Sequence, residues 1–165
     1  MGTTASAYKQ VITKDYTVLC LAVGMLSLIG AFFWQPLGVI FWVCVFTAFD
    51  HLLFLDVLTK VPKEIPHVPE AAYRIAQGSI HILMLVVTYL VTQSWQVCLA
   101  TQIIWWTLGC DVLYYIVGKH EFDKTWTWVR WSVWFFKKEV SDTLVIIGSI
   151  IGVITAILVL VFFGV

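Results

Sequence analysis

The chain alternates between long apolar runs and short polar connections. Five of the runs are each long enough to cross a bilayer, because about 20 helical residues span its hydrocarbon core. Gln35-Pro36 and Thr92-Gln93-Ser94 form two of the breaks between runs. The pattern predicts an all-α integral membrane protein, a five-span helical bundle that occupies residues 1–165 as one domain. The expected spans are 16–34, 37–59, 70–91, 95–118 and 141–165.

The segment 122–138, before the last run, is rich in Trp and in basic residues together. Trp favours the headgroup region of a membrane, where Lys and Arg can also meet anionic lipid. We therefore predict an interfacial Trp-rich amphipathic helix rather than a sixth span. Every proline lies in a connection, so no broken or kinked span is expected.

Composition agrees with a membrane location. Of 165 residues, 61% are hydrophobic and 12% are charged, and the mean hydropathy is +0.91. A soluble domain carries about a quarter charged residues, so that class is excluded. The formal net charge is zero, and we expect membrane lipids, and no nucleic acid, as partners.

The basic residues are distributed asymmetrically. In an alternating trace, every Lys and Arg falls on one side, before the first span or in and near the connections at 60–69 and 119–138. The opposite connections, around 34–36 and 92–94, carry no charge. Because basic residues accumulate on the cytoplasmic side, the sequence predicts a cytoplasmic N-terminus and a C-terminus on the opposite side.

Ionisable residues interrupt the middle three spans: Asp50, His51 and Asp56 in the second, Arg74 and His81 in the third, and Asp111 in the fourth. Such groups are costly in hydrocarbon and are candidates for function. A rise of 1.5 Å per residue places His51, His81 and Asp111 roughly 13, 16 and 12 Å from the basic ends of their spans. Since neighbouring spans run in opposite directions, we interpret this agreement as one polar layer.

The polar residues of the third span share one face of the predicted helix. Arg74, Gln77, His81 and Thr88 follow one another at steps of three, four and seven residues. That spacing places all four on one side of a helix. We therefore expect the third span to present a polar stripe to the second and fourth spans.

These residue types suit acid–base chemistry. We predict that the catalytic residues are Asp50, His51, His81 and Asp111. The predicted substrate-binding residues are Arg74, Gln77, Trp105, Trp106, Tyr114 and Tyr115. Carboxyl and imidazole groups exchange protons, an Arg can hold an anionic head group, and aromatic rings can hold a greasy body or a developing cation. The leading hypothesis is a membrane-embedded enzyme with isomerase-like or cyclase-like chemistry on a lipid, an isoprenoid or a similar hydrophobic small molecule.

Cofactors are left open between none, a divalent metal and haem b. His51, His81, Asp50 and Asp111 could supply a mixed nitrogen and oxygen metal site, although no H-E-x-x-H motif is present. Alternatively, His51 and His81 lie at similar depth on neighbouring antiparallel spans and could ligate one haem for electron transfer. Gly78 is the only small residue nearby that would leave room for a haem.

Two further hypotheses involve no substrate turnover. In a proton-coupled or ion-coupled transporter, the same residues would form a relay, but the repeats and broken helices of many transporters are not predicted here. In a non-catalytic subunit of a membrane complex, Asp50, Arg74, His81 and Asp111 would only neutralise one another and fix helix register.

Gly148 and Gly152 form a G-x-x-x-G motif in the last span. Small residues at this spacing let two helices approach closely. The partner could be the first span or a second copy, so this face could support a homo-oligomer or a larger complex.

Overall fold

The computed structural model describes residues 16–60, 67–119, 125–126 and 140–165, with side chains over 16–53, 72–119 and 140–165. This part of the chain is nearly all helical, which confirms the predicted all-α architecture. Its elements are α1 (Thr17–Ala31), α2 (Leu37–Lys60), α3 (His67–Thr92), α4 (Trp95–Trp106), α5 (Gly109–Gly118), β1 (Thr125–Trp126), β2 (Val140–Ser141) and α6 (Asp142–Phe162).

Two helical stretches are long and apolar enough to cross a membrane, Ala72–Thr92 in α3 and Asp142–Phe162 in α6. The bent pair α4 and α5 becomes a third if it is counted as one span. Two shorter apolar stretches are Thr17–Ala31 and Leu37–Leu53, the latter being the part of α2 whose side chains are described. Length and composition of the described residues therefore support two or three spans out of the five predicted.

The packing of α1 and α6 is inverted relative to a soluble protein. The buried residues of α1 are Thr17, Cys20, Gly24, Ser27 and Ala31, and those of α6 are Val145, Gly148, Ser149, Gly152 and Ala156. Large apolar side chains lie outside, with Leu26 70% exposed and Ile151 57% exposed. Small residues inside and large apolar residues outside are typical of helices that pack in lipid.

Helix α2 lies at the centre of the bundle, in contact with α1, α3, α4 and α5. Its Trp42 is fully buried and stacks on Phe46 with ring centroids 4.8 Å apart. Met84, Val97 and Ile104 join these two rings in the largest apolar core. Side chains on α2 can therefore reach residues on several neighbouring helices.

The helix ends group at two opposite faces of the bundle. At one face, the Tyr16 amide donates to the Val117 carbonyl oxygen at 2.8 Å, which joins the start of α1 to the end of α5. At the other, the ring of Trp95 at the start of α4 lies 5.3 Å from that of Phe163 after α6. This grouping is the one that antiparallel neighbouring helices produce.

The helix predicted over 95–118 is broken. Between α4 and α5 the chain bends by 68° at a short break, and Leu108 there takes a left-handed conformation with φ of 65°. The expectation of unbroken spans was wrong because it considered only proline. Side-chain hydroxyls serve the carbonyls at the break instead: Thr107 Oγ1 donates to Ile104 O at 3.1 Å, and Ser149 Oγ lies 3.1 Å from Thr107 O.

Helix α6 packs against this break through its small residues. A Cβ atom added to Gly152 would overlap the side chain of Thr107. Gly148 and Ser149 are also buried on this face. The close approach permitted by the G-x-x-x-G motif is therefore used within the chain, on α4, a partner that the sequence alternatives did not include.

The two strands lie before α6. β1 pairs with β2 in antiparallel fashion, with Thr125 opposite Ser141 and Trp126 opposite Val140. The amphipathic helix predicted over 122–138 is therefore wrong at 125–126, where Thr and Trp, both favourable in strands, are extended. The other residues of that segment lie outside the described part of the chain.

The contact between α6 and the break can be tested by one methyl group. Gly152→Ala should lower the free energy of unfolding by about 1–3 kcal/mol, because the added atom overlaps Thr107 in a packed interface. Thermal unfolding in detergent measures the change. The matched control is Gly78→Ala, because an added Cβ at Gly78 meets nothing within 4 Å. Equal stability of the two variants would contradict the packing.

Candidate functional site

A carboxylate on α2 is the centre of the polar layer. Asp50 is 8% exposed. Its Oδ1 accepts hydrogen bonds from the Tyr73 hydroxyl at 2.7 Å and from Gln77 Nε2 at 2.9 Å, both on α3. Hydrogen bonds to a charged acceptor are the stronger kind. Asp50 therefore ties α2 to α3 through a single oxygen atom.

Arg74 connects to Asp50 through an intermediate. Its guanidinium donates to Gln77 Oε1 at 3.0 Å, and its Cζ lies 5.4 Å from the centre of the Tyr73 ring. The Gln77 amide thus accepts from Arg74 and donates to Asp50, which defines its orientation. Arg74 therefore adds a positive charge to the layer, with the Gln77 amide between its guanidinium and the Asp50 carboxylate.

The break in the fourth predicted span sets the position of Asp111. This residue lies in the first turn of α5, where unpaired backbone N–H groups and the helix dipole favour a negative charge. Asp111 interacts electrostatically with Asp50 and with Arg74. Charged groups on α2, α3 and α5 therefore influence one another electrostatically. We call this group the acid pair region (Asp50, Tyr73, Arg74, Gln77 and Asp111).

His51 faces a different neighbour from Asp50. It is 1% exposed, and its ring centroid lies 5.1 Å from that of Tyr114 on α5. Tyr114 in turn contacts Tyr115 edge to face at 5.7 Å. Adjacent residues on a helix point about 100° apart, so α2 directs Asp50 toward α3 and His51 toward the aromatic residues of α5.

His81 lies in a separate environment. Its Nε2 is 3.0 Å from Gln102 Oε1 on α4. Its ring centroid lies 4.2 Å from that of Trp105, 5.1 Å from that of Trp42 and 5.7 Å from that of Phe46. We call His81, Gln102 and these three rings the His81 box. The polar stripe of α3 therefore serves two sites, with Gln77 in one and His81 in the next.

Most of the predicted site residues fall into these groups. Asp50, Asp111, Arg74 and Gln77 come together in the acid pair region, and His51 lies with Tyr114 and Tyr115 beside it. Trp105 belongs to the His81 box. Trp106 is 46% exposed and meets the edge of Trp105, so it lies on the outer surface. The Asp56 side chain is outside the described residues.

The metal and haem hypotheses gain no support from this arrangement. Over 16–53, 72–119 and 140–165, no three His, Cys, Asp or Glu side chains lie close enough to hold a metal ion. The set of His51, His81, Asp50 and Asp111 is therefore not assembled as one ligand group. Gly78 is exposed, so the space beside it faces outward and not toward a haem between the two histidines.

Two hydrogen-bonding residues of these sites, and the rings of Trp42 and Phe46, were not among the predicted site residues. Tyr73 hydrogen-bonds Asp50, and Gln102 pairs with His81. A signal was present in both cases. Tyr73 lies four residues before Gln77, on the same face of α3, while Gln102 is a polar side chain within an apolar helix.

Comparison with protein-family models, with curated proteins and with solved structures finds no match.

The hydrogen bond from Tyr73 can be tested with a single-atom change. Tyr73→Phe should lower the free energy of unfolding by about 1–3 kcal/mol, because Asp50 is buried and loses one donor. Chemical unfolding in detergent measures the loss. Tyr89→Phe is the matched control, since Tyr89 is 47% exposed. A Tyr73→Phe protein as stable as that control would remove the bond from the account.

Proposed function

We propose that the chain is a five-span membrane protein with a cytoplasmic N-terminus, and that the acid pair region is the acid–base site of an enzyme. Its substrate would be a lipid or an isoprenoid-like molecule that reaches the site from the cytoplasmic leaflet. The observation that supports this most is the electrostatic interaction of Asp111 with Asp50 and Arg74, three residues on different helices.

The two carboxyl groups have unlike surroundings. Asp50 accepts two hydrogen bonds from α3, whereas Asp111 lies at the start of α5, next to the break. Two acids in different environments are suited to opposite roles, one as proton donor and the other as proton acceptor. Arg74 is placed to hold a negatively charged head group, because it does not pair directly with either carboxylate among the described contacts.

An apolar residue beyond the His81 box favours a binding site over an ion or proton path through the bundle. Between His81 and Thr88 on the inner face of α3, the buried residue is Met84, which packs in the apolar core with Trp42 and Phe46. An ion or proton path needs polar groups or water along its length. The polar stripe is interrupted here, as expected for a binding site reached from one side.

Deuterium exchange tests the acid–base proposal without a known substrate. Protein in vesicles of host membrane lipid, incubated in D₂O, should incorporate carbon-bound deuterium into one lipid class. Asp50→Asn and Asp111→Asn should each reduce the rate by about a hundredfold or more, because each removes a proton-transfer group. Mass spectrometry of extracted lipids measures this. Asp142→Asn, an identical change at the start of α6, should have no effect.

Exchange by the Asp111→Asn protein at the full rate would contradict the proposal, as would a wild type without exchange.

The break between α4 and α5 favours proton-coupled or ion-coupled transport as the second candidate, because discontinuous helices are common in transporters. In that case a pH-sensitive dye inside the vesicles would record proton movement that Asp111→Asn abolishes, while lipids gain no deuterium.

Orientation has its own test. In a chain whose four cysteines are replaced by alanine, an impermeant maleimide added to intact cells should label Gln35→Cys. It should label Thr143→Cys only after the cells are permeabilised, because the positive-inside rule places the start of α6 in the cytoplasm. Both positions are exposed, so access alone does not separate them. The opposite labelling pattern would contradict the orientation.

A further inference from the structure

The His81 box contains buried polar atoms that the contacts described above do not use. Trp42 Nε1, His81 Nδ1 and Gln102 Nε2 are each inaccessible, and none has a hydrogen-bond partner among the described residues. Trp42 is fully buried and His81 is 9% exposed. Leaving such groups unpaired is costly, so a cluster with three such atoms, one of them on the imidazole itself, indicates a ligand.

The hydrogen-bonding roles of these atoms specify the ligand. Gln102 Oε1 can only accept, so His81 Nε2 carries the proton and Nδ1 of the neutral ring is an acceptor. Trp42 Nε1 and the Gln102 amide nitrogen are donors. Reversing the amide exchanges the roles of His81 and Gln102 and again leaves donors together with one acceptor. A group that both donates and accepts is therefore required.

Charge and surroundings narrow the choice. The described contacts of His81 are one amide and three aromatic rings, with no charged side chain among them. An ion here would be buried without a counter-charge, which costs far more than a neutral polar group. We propose that the His81 box binds one hydroxyl group. The hydroxyl donates a hydrogen bond to His81 Nδ1 and accepts one from the indole N–H of Trp42.

The position of the box favours a hydroxyl carried by a membrane molecule. Gln102 and Trp105 are only half-buried on α4. The neighbours of His81 on the outer face of α3, Ile82 and Leu83, are 64% and 61% exposed, as for side chains in lipid. The partial exposure of Gln102 and Trp105 is therefore the side from which an amphipathic alcohol in the bilayer would approach the box. Buried water is the other source of a hydroxyl, and the experiment separates the two.

This inference adds a ligand site to the proposed function, and it relies on that function only for a ligand drawn from the membrane. The site is distinct from Asp50 and Asp111. Binding measured in the Asp111→Asn protein therefore separates the failure of this inference from the failure of the acid–base proposal.

The experiment uses ring-¹⁵N-histidine protein in lipid nanodiscs. Addition of 1-dodecanol should shift the His81 Nδ1 resonance, whereas 1-methoxydodecane, a methyl ether that partitions similarly but cannot donate, should leave it in place. Loss of the signal in His81→Gln assigns it, and its displacement in Gln102→Leu provides a second assignment. The Asp111→Asn protein should respond like the wild type.

Trp42→Phe keeps an aromatic ring but removes the N–H donor, so alcohol binding should weaken about fivefold, the ratio for one hydrogen bond of about 1 kcal/mol. Trp95→Phe, at an exposed position at the far end of α4, should bind normally. Magnetisation transfer from water to His81, with no response to alcohol, would support the hydroxyl and identify its source as buried water. Neither an alcohol shift nor water transfer would overturn the inference.

Discussion

A carboxylate within a helical membrane protein must receive hydrogen bonds from its own chain, because lipid offers none. Asp50 meets this requirement through Tyr73 and Gln77. Satisfying its Oδ1 fixes the rotation of α2 and α3 and their relative height. The same helix rotation directs His51 toward α5 and buries Trp42 beside His81. The positions of both candidate sites thus follow from one buried acid on the central helix.

Close packing of small residues on α6 also contributes to the positions of the two sites. Helix α6 places Gly152 against Thr107 at the break between α4 and α5, and Ser149 lies within hydrogen-bonding distance of the Thr107 carbonyl oxygen. A break in a helix at membrane depth is tolerated where protein groups satisfy the exposed backbone. This contact keeps α5 tilted, so that Asp111 begins a helix near Asp50. The G-x-x-x-G motif thereby connects the packing of α6 to the position of Asp111.

Part of this could be predicted from sequence. Long apolar runs predicted the helices, and the steps between Arg74, Gln77 and His81 predicted the stripe on α3. The break at Thr107 and Leu108 was not predicted. Gly109 follows it directly, but an isolated glycine is tolerated within a helix, and the bend depends on contacts with α6. The division of the polar layer into two sites could not be predicted either. Depth along the helices places Asp50 and His81 in one layer, but it does not say which neighbouring helix each side chain faces.

Hydrogen bonds to Asp50 hold α2 against α3. A double-mutant cycle between Asp50→Ala and Gln77→Ala measures one of these bonds directly. Unfolding free energies in detergent give the coupling of the two side chains. The coupling energy should be about 1–3 kcal/mol, as for a buried hydrogen bond to a charged acceptor. Effects that add to within about 0.5 kcal/mol, the range for independent sites, would contradict it.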